Sequence, residues 1–259
     1  MAATGPRFYC PVALRSGAQL SLPAGATRHA QVLRLQPGSA VALFNGGLPS
    51  NEGLGGEFEA TIIQMGRNNV EVHLGVHHAI EREAAMRVHL AVAMPANERM
   101  DWLVEKATEL GVASIQPLIT ERSVLRLTGE RAEKKCAHWQ GIAIAACEQS
   151  GRNLVPTVHS VLTFAHWMAQ GACPTWPPQI RRLVLSLSND SVSVARRNLT
   201  DDTTGSIGIL SGPEGGLGDG EERLAFEAGF AGTSLGSRVL RAETAAVAVL
   251  AALTLGTLG

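Results

Sequence analysis

Lysine is scarce in this chain. Its 22 basic residues comprise nineteen arginines and only Lys106, Lys134 and Lys135, none of which follows a glycine. That excludes a Walker A loop, whose Gly-Lys-Ser/Thr ending reaches a nucleotide's phosphates. The dinucleotide fingerprint G-x-G-x-x-G is missing too, because the densest glycine run, Gly215-Gly216-x-Gly218-x-Gly220, meets Glu221 where the last glycine belongs. The four cysteines (Cys10, Cys136, Cys147, Cys173) form no C-x-x-C pair and no zinc-like spacing, so they read as free thiols of a reducing compartment. The eight histidines are scattered, His77-His78 reads as a solvated linker pair, and no metal is expected. A strong net charge is lacking (−1), as is a membrane-length apolar run. The most apolar tract, residues 244–258, falls short of the ~20 residues a span needs and reads as a buried helix. No leader pattern, repeat or low-complexity tract is seen, and the expectation is a cytoplasmic protein without membrane contact. Its 259 residues make one large domain or two ordinary ones.

What is present is unevenly placed. Residues 1–51 hold Arg7, Arg15, Arg28 and Arg34 with no Asp or Glu. A basic module on a near-neutral chain points to a polyanion such as RNA, although a chance run in a small domain reads as well. The first ~75 residues break into short strands with turn residues between them. EFEATIIQM and NNVEVHLGV, on either side of Gly-Arg-Asn-Asn, read as a hairpin, so a small β-barrel over residues 1–75 is expected. Residues 76–86 read as a linker. From Arg87 the rhythm changes to strands (RVHLAVAM, SIQPLIT, RRLVLSLS, SIGILSG, TSLGS) alternating with helices (100–110, about 130–149, EERLAFEAGF, ETAAVAVLAALTL). That alternation predicts an α/β domain over 87–259, with a mainly parallel sheet covered on both faces. Thr175-Trp-Pro-Pro-Gln179 reads as a surface loop. Trp102, Trp139 and Trp167 read as core residues, and Lys106 with Glu109 as a solvated pair.

In such a sheet, ligands sit beyond the carboxyl ends of the strands. Three loops rich in small or turn-forming residues leave consecutive strands there: 187–190, 211–216 and 235–244. The helix after the second opens with Asp219, Glu221 and Glu222, which suit a helix N-terminus but would repel a pyrophosphate. The loop is therefore built for a neutral or cationic ligand, or is simply a tight turn.

At these residues the sequence resembles the SPOUT class of RNA methyltransferases, and within it the bacterial enzymes that methylate N3 of a uridine in 16S rRNA. The resemblance runs over almost the whole chain: Arg7-Phe-Tyr9, His29-x-x-Val-Leu-Arg34, Lys106-x-x-Glu-Leu-Gly-Val112, Ile115-x-Pro117, Glu121-Arg-Ser123, Glu148-Gln-Ser-Gly-Arg152 with Val155-Pro156, Gly212-Pro-Glu-Gly-Gly216, and Leu235-Gly-x-Arg-Val-Leu-Arg-Ala-Glu-Thr-Ala245. The last two, in that order, carry most of its specificity; Ser211 is the one departure noted. It implies a trefoil-knotted C-terminal domain preceded by a PUA-like RNA-binding barrel, a homodimer, and 16S rRNA of the small ribosomal subunit as the substrate.

It also implies S-adenosylmethionine as the cofactor, held by Leu187, Ser188, Gly212, Pro213, Glu214, Gly215, Gly216, Leu235, Gly236, Val239 and Leu240. Arg238, Arg241 and Glu243 are then the candidate catalytic residues, and Arg7, Arg28, Arg34, Arg122 and Arg152 the candidate RNA contacts. Each arginine can instead be a phosphate clamp or a structural ion pair. Glu243 or Glu214 can serve as base, and Glu243 equally as a capping carboxylate of the last helix. The alternatives left by sequence are a relative acting on another rRNA or tRNA base, and a non-catalytic RNA-binding assembly factor.

Overall fold

The computed structural model describes residues 5–47, 55–170, 176–188, 190–197 and 205–255. Along the chain these form β1 (Arg7–Tyr9), β2 (Gln19–Ser21), α1 (Ala24–Val32), β3 (Ala40–Phe44), β4 (Glu57–Met65), β5 (Val70–His78), β6 (Arg87–Ala93), α2 (Asn97–Glu109), β7 (Val112–Ile119), α3 (Gly129–Ser150), β8 (Thr157–Val158), β9 (Leu162–Thr163), α4 (Phe164–Ala169), β10 (Arg181–Leu185), β11 (Val192–Ser193), β12 (Ser206–Ser211), α5 (Asp219–Glu227), β13 (Ala231–Ser234) and α6 (Ala242–Thr254). They fall into two compact units. One comprises residues 1–83 and 144–155, the other residues 84–143 and 156–259.

The first unit is a five-stranded sheet in the order β1-β3-β4-β5-β2. The expected hairpin is there, with β4 and β5 antiparallel around the Gly66–Asn69 turn, whereas β1 runs parallel to β3. Alternation in β4 and β5 turns Phe58, Ala60, Ile62, Val70, Val72 and Leu74 into one core with Phe8, Val41 and Leu43, as a two-residue period requires. Strand β5 continues through His77 and His78, beyond the start of the expected linker. His78 Nε2 lies 2.8 Å from Glu59 Oε1, and the His77 ring meets the Gly55 carbonyl. A strand pairing, not solvent, explains that histidine pair.

The arginines of this unit divide. Arg28 and Arg34 are exposed, and Arg34 adopts a left-handed φ of 53° where α1 ends. Arg7 and Arg152, both expected on RNA, are instead structural. The Arg7 guanidinium is ion-paired with Glu57, whose side chain is wholly buried, and donates to Asn153 Oδ1 (2.7 Å) and the Arg152 carbonyl (3.1 Å). Arg152 is itself buried and makes a two-pronged pair with Glu83, at 3.0 and 2.6 Å. Arg82 adds a second cation on Glu57 at 3.1 Å. Glu148 accepts from the Tyr9 amide (3.0 Å) and meets His29 Nδ1 (3.1 Å). The motif residues Arg7-Phe-Tyr9, His29 and Glu148–Arg152 are thus one cluster that closes this unit.

The second unit is an eight-stranded sheet in the order β11-β13-β10-β12-β6-β7-β8, with β9 also on β7, and every pairing within it is parallel. Both faces are covered. Val88, Leu90 and Val92 of β6 meet Leu103 and Val104 of α2, Trp139 of α3, and Val249 and Leu250 of α6. On the other face Ala91, Val184 and Leu210 meet Phe164 and Trp167 of α4, Ala225 of α5, and Trp176. Trp176, expected in a surface loop, is therefore core: its ring stacks edge-on to Trp167 at 5.4 Å, and a Cβ on Gly208 of β12 would stand 2.2 Å from it. Thr175 of that expected loop, Cys173 and Asn189 lie outside the described residues. Trp139 and Trp167 are fully buried, but Trp102 is 42% exposed; it lies on the face of α2 opposite Met100, Leu103, Val104 and Ala107.

Candidate active site

Strands β10, β12 and β13 are parallel neighbours, and their carboxyl ends open into one cleft of about 650 Å³, counting space open to solvent. Its floor is Leu185, Ser186 and Leu187 after β10, Ser211 to Glu214 and Gly216 after β12, and Thr233 to Gly236 after β13. Arg238, Val239, Leu240, Ala242 and Ala245 complete the wall. Of the residues expected to hold a cofactor, all line it except Ser188 and Gly215. Sequence reasoning missed Leu185, Ser186, Thr233 and Ser234, each one or two positions from a residue it did name, and held Ser211 and Ala242 in its ligand loops and Ala245 in its motif without assigning them to the cofactor.

The glycine loop has the backbone such a cleft needs. A Cβ on Gly212 would lie 2.9 Å from the Leu217 amide nitrogen, so only glycine lets the loop fold back this tightly. Gly216 and Gly236 have φ of 72° and 105°. The acidic helix start is explained by local hydrogen bonds: Glu221 accepts from the Gly218 amide (3.0 Å) and the Glu121 amide (2.9 Å). Arg122, expected to contact RNA, donates to the Gly215 and Leu217 carbonyls at 2.9 and 3.1 Å. Through that one nitrogen, Nη1, it braces the glycine loop, while Nη2 lies 3.7 Å from Asp219 on a side chain that is 46% exposed.

The catalytic candidates divide between this cleft and a second one. Arg238 is exposed and lines the first. Arg241 and Glu243 line the second, of about 830 Å³ counted in the same way, with Glu98, Arg99, Trp102 and Thr244. Along residues 240–245 the chain alternates: Leu240, Ala242 and Ala245 face the first cleft, Arg241, Glu243 and Thr244 the second. The two are joined by Arg99, which sequence reasoning did not single out. It pairs with Glu214 of the first cleft (3.2 Å) and, through Nε, with Glu243 Oε1 (3.6 Å). Glu243 sits in the first turn of α6 and its side chain is only 10% exposed, yet among the described residues its Oε2 has no hydrogen-bond partner. It does not cap the helix; Arg241 occupies the N-cap position, without a side-chain bond. A buried carboxylate oxygen left with free lone pairs is costly and chemically available.

A model of the RNA methyltransferase domain matches residues 82–254. The chain is 32% identical over 221 residues to ribosomal RNA small subunit methyltransferase E of Synechocystis, covering 85% of this chain and 67% of that protein. To the Bacillus subtilis protein of the same name it is 34% identical over 175 residues, 67% of each. Among solved structures, ribosomal RNA small subunit methyltransferase E of Neisseria gonorrhoeae bound to S-adenosylmethionine superposes with a TM-score of 0.84 at 34% identity, covering 96% of this chain and 97% of that one. A Legionella pneumophila structure with S-adenosylmethionine bound gives 0.86 at 33% identity, covering 98% of each. The chain therefore belongs to the RNA methyltransferase family and, within it, to the ribosomal RNA small subunit methyltransferase E family.

Proposed function

We propose that this protein transfers a methyl group from S-adenosylmethionine to N3 of a uridine in the 16S rRNA of the small ribosomal subunit. Its named relatives are small-subunit rRNA methyltransferases; the base and the atom are the finer part of the reading. The observation that carries it is the pairing of a phosphate-unfriendly cleft with an adjacent buried carboxylate oxygen that has no partner.

The lining fits the cofactor. S-adenosylmethionine carries a cationic sulfonium and no phosphate, so Glu214 in the wall is favourable and a lysine is unnecessary. Leu187, Leu235, Val239 and Leu240 offer an apolar slot for adenine, and Gly212, Gly216 and Gly236 let main-chain groups come close. When bound, the cofactor supplies an electrophilic methyl group; the chain supplies position and proton chemistry.

Uracil N3 holds its proton with a pKa of about 9 to 10, close to that of a phenol, so a neutral solution leaves the nucleophile masked. Glu243 takes that proton on Oε2, freeing an N3 electron pair to bond the methyl carbon; the methyl–sulfur bond would break as the new bond forms, its electron pair staying on sulfur so that neutral S-adenosylhomocysteine leaves. Arg241, which lines the same cleft as Glu243, donates to a uracil carbonyl oxygen, where negative charge develops, and Arg238 lines the cofactor cleft. Arg99 pairs with both carboxylates, and Glu243 is preferred to Glu214 as base because Glu214 is a third exposed whereas Glu243 is 10% exposed with Oε2 left without a partner among the described residues.

The same reading makes the C-terminal unit a knotted SPOUT domain and the N-terminal unit a PUA-like module that meets RNA phosphates through Arg28 and Arg34. It makes the working molecule a cytoplasmic homodimer. Supporting it, the motifs in both units match one family, and among the described residues no helix is long and apolar enough to cross a membrane.

The test is to incubate the protein and S-adenosylmethionine with small subunits lacking their base methylations and to analyse the digested nucleosides by mass spectrometry. A gain of 3-methyluridine is expected. A different methylated nucleoside overturns the base assignment; no methylation of subunits or naked rRNA, with the cofactor bound, points to a non-catalytic factor.

A further inference from the structure

Resting on that reading, we infer that the second cleft is the seat of the acceptor uracil and that Trp102 is the surface on which the base stacks.

The placement comes from α2. This helix buries Met100, Leu103, Val104 and Ala107 in the core. Glu98, Arg99 and Trp102, spaced i, i+1 and i+4, fall on its other side and line the cleft. An exposed indole is unusual in this chain: of its four tryptophans, Trp139, Trp167 and Trp176 are at most 6% exposed, against 42% for Trp102. Packing within the chain therefore leaves the residue incompletely covered, with 42% of it open beside a cleft of about 830 Å³.

The charges decide what kind of ligand fits. Two carboxylates (Glu98, Glu243) and two guanidiniums (Arg99, Arg241) line the cleft. A balanced set suits a neutral heterocycle carrying both acceptors and a donor better than it suits a phosphate. Uracil presents two carbonyl oxygens for the arginines and one N–H between them for a carboxylate, and Glu243 Oε2 is the oxygen without a partner. Transfer requires the two reactants to approach within about 3 to 3.5 Å. The clefts share the wall formed by residues 240–245 and meet at the Arg99–Glu214 pair, which is where such an approach can occur. A base turned out of its stack to reach this point loses its neighbours, and an aromatic face replaces them.

Three variants test this on the full-length protein: Trp102→Ala, Trp102→Phe and Trp102→Leu. Each is assayed for 3-methyluridine formation on unmethylated small subunits, for cofactor affinity by calorimetry, and for oligomeric state by sedimentation. Stacking of one base on one aromatic ring predicts a roughly 5- to 150-fold loss of kcat/KM in the alanine variant. Cofactor affinity and oligomeric state stay unchanged, phenylalanine recovers most of the loss, and leucine does not. Leucine recovering as well as phenylalanine would show that apolar bulk, not a π face, is needed, and would overturn the assignment. Loss of the oligomer in step with activity would make Trp102 a subunit contact and overturn it equally. Wild-type rates in all three variants, with wild-type protein making 3-methyluridine, would sink the inference and leave the proposed function standing. A wild-type protein that makes no 3-methyluridine removes that function and the inference with it.

Discussion

The molecule contains two networks of arginine and glutamate, and they differ in how fully they are satisfied. In the first unit, Arg7, Arg82 and Arg152 meet Glu57 and Glu83, with Asn153 and main-chain carbonyls accepting further hydrogen bonds; Glu57 is entirely buried, every carboxylate is paired, and among the described residues only Arg7 Nε of this cluster lacks a partner. In the second unit, Arg99 lies between Glu214 and Glu243; it is 41% exposed, its bonds are longer, and Glu243 Oε2 is unpartnered. The same residue types thus give a closed bracket in one place and an open, chemically available site in the other. A buried network whose carboxylates are all paired fixes an architecture, because removing one member strands another charge. A half-satisfied network next to a cavity holds a group ready for a ligand.

The largest effect expected is on the first network. Glu57→Ala leaves the Arg7 guanidinium buried without its carboxylate and should cost about 3–5 kcal/mol of stability in chemical denaturation. Cofactor affinity of the protein that remains folded should stay at the wild-type value. A loss of less than about 1 kcal/mol would mean that the cluster is not the bracket described.

A buried base with no counter-charge sharpens the contrast. His89 of β6 is buried, with Nδ1 2.8 Å from Ser114 Oγ, and burial, with help from Arg87 and His159, pushes its pKa down to about 4. Its unfolded value is about 6.5, so the unfolded chain binds the proton first. The stability due to neutral His89 is complete above pH 6.5 and is lost as pH falls through about 4. The melting temperature should decline over that window, and less steeply in His89→Gln; equal slopes would remove His89 as the cause.

The smallest effect separates pinned from free arginines within the first unit. Arg28→Gln and Arg34→Gln should each lower the slope of log affinity for rRNA against log salt by about 1, with the fold unchanged. An unaltered slope in both would place the phosphate contacts elsewhere.

Much of this could be read from the sequence, and the misses have a common cause. Strand and helix periods gave the β4–β5 hairpin and the alternating elements of the second unit, since those signals are local. The three loops after β10, β12 and β13 were legible because glycine and proline mark turns wherever they occur. The roles of Arg7 and Arg152 were not, because their partners lie 50, 145 and 69 residues away, and nothing local in an arginine distinguishes a buried bracket from an RNA contact. Trp102 and Trp176 exchanged expected places for a similar reason. Trp102 sits on an amphipathic helix and reads as core, whereas Trp176, between prolines, reads as loop; a glycine on β12, far along the chain, makes room for it. Arg99 carries no motif, and only the fold sets it between two carboxylates.

The central claim, that the open network performs the proton chemistry, is tested most directly by the pH dependence of single-turnover methylation in Glu243→Gln beside the wild type. A general base of this kind contributes about 10²- to 10⁴-fold. The variant should be slower by that factor near neutral pH and recover toward the wild-type rate as pH approaches the intrinsic pKa of uracil N3, with its melting temperature little changed. A variant that matches the wild type at neutral pH would contradict the assignment of the base and, with it, the distinction between the two networks.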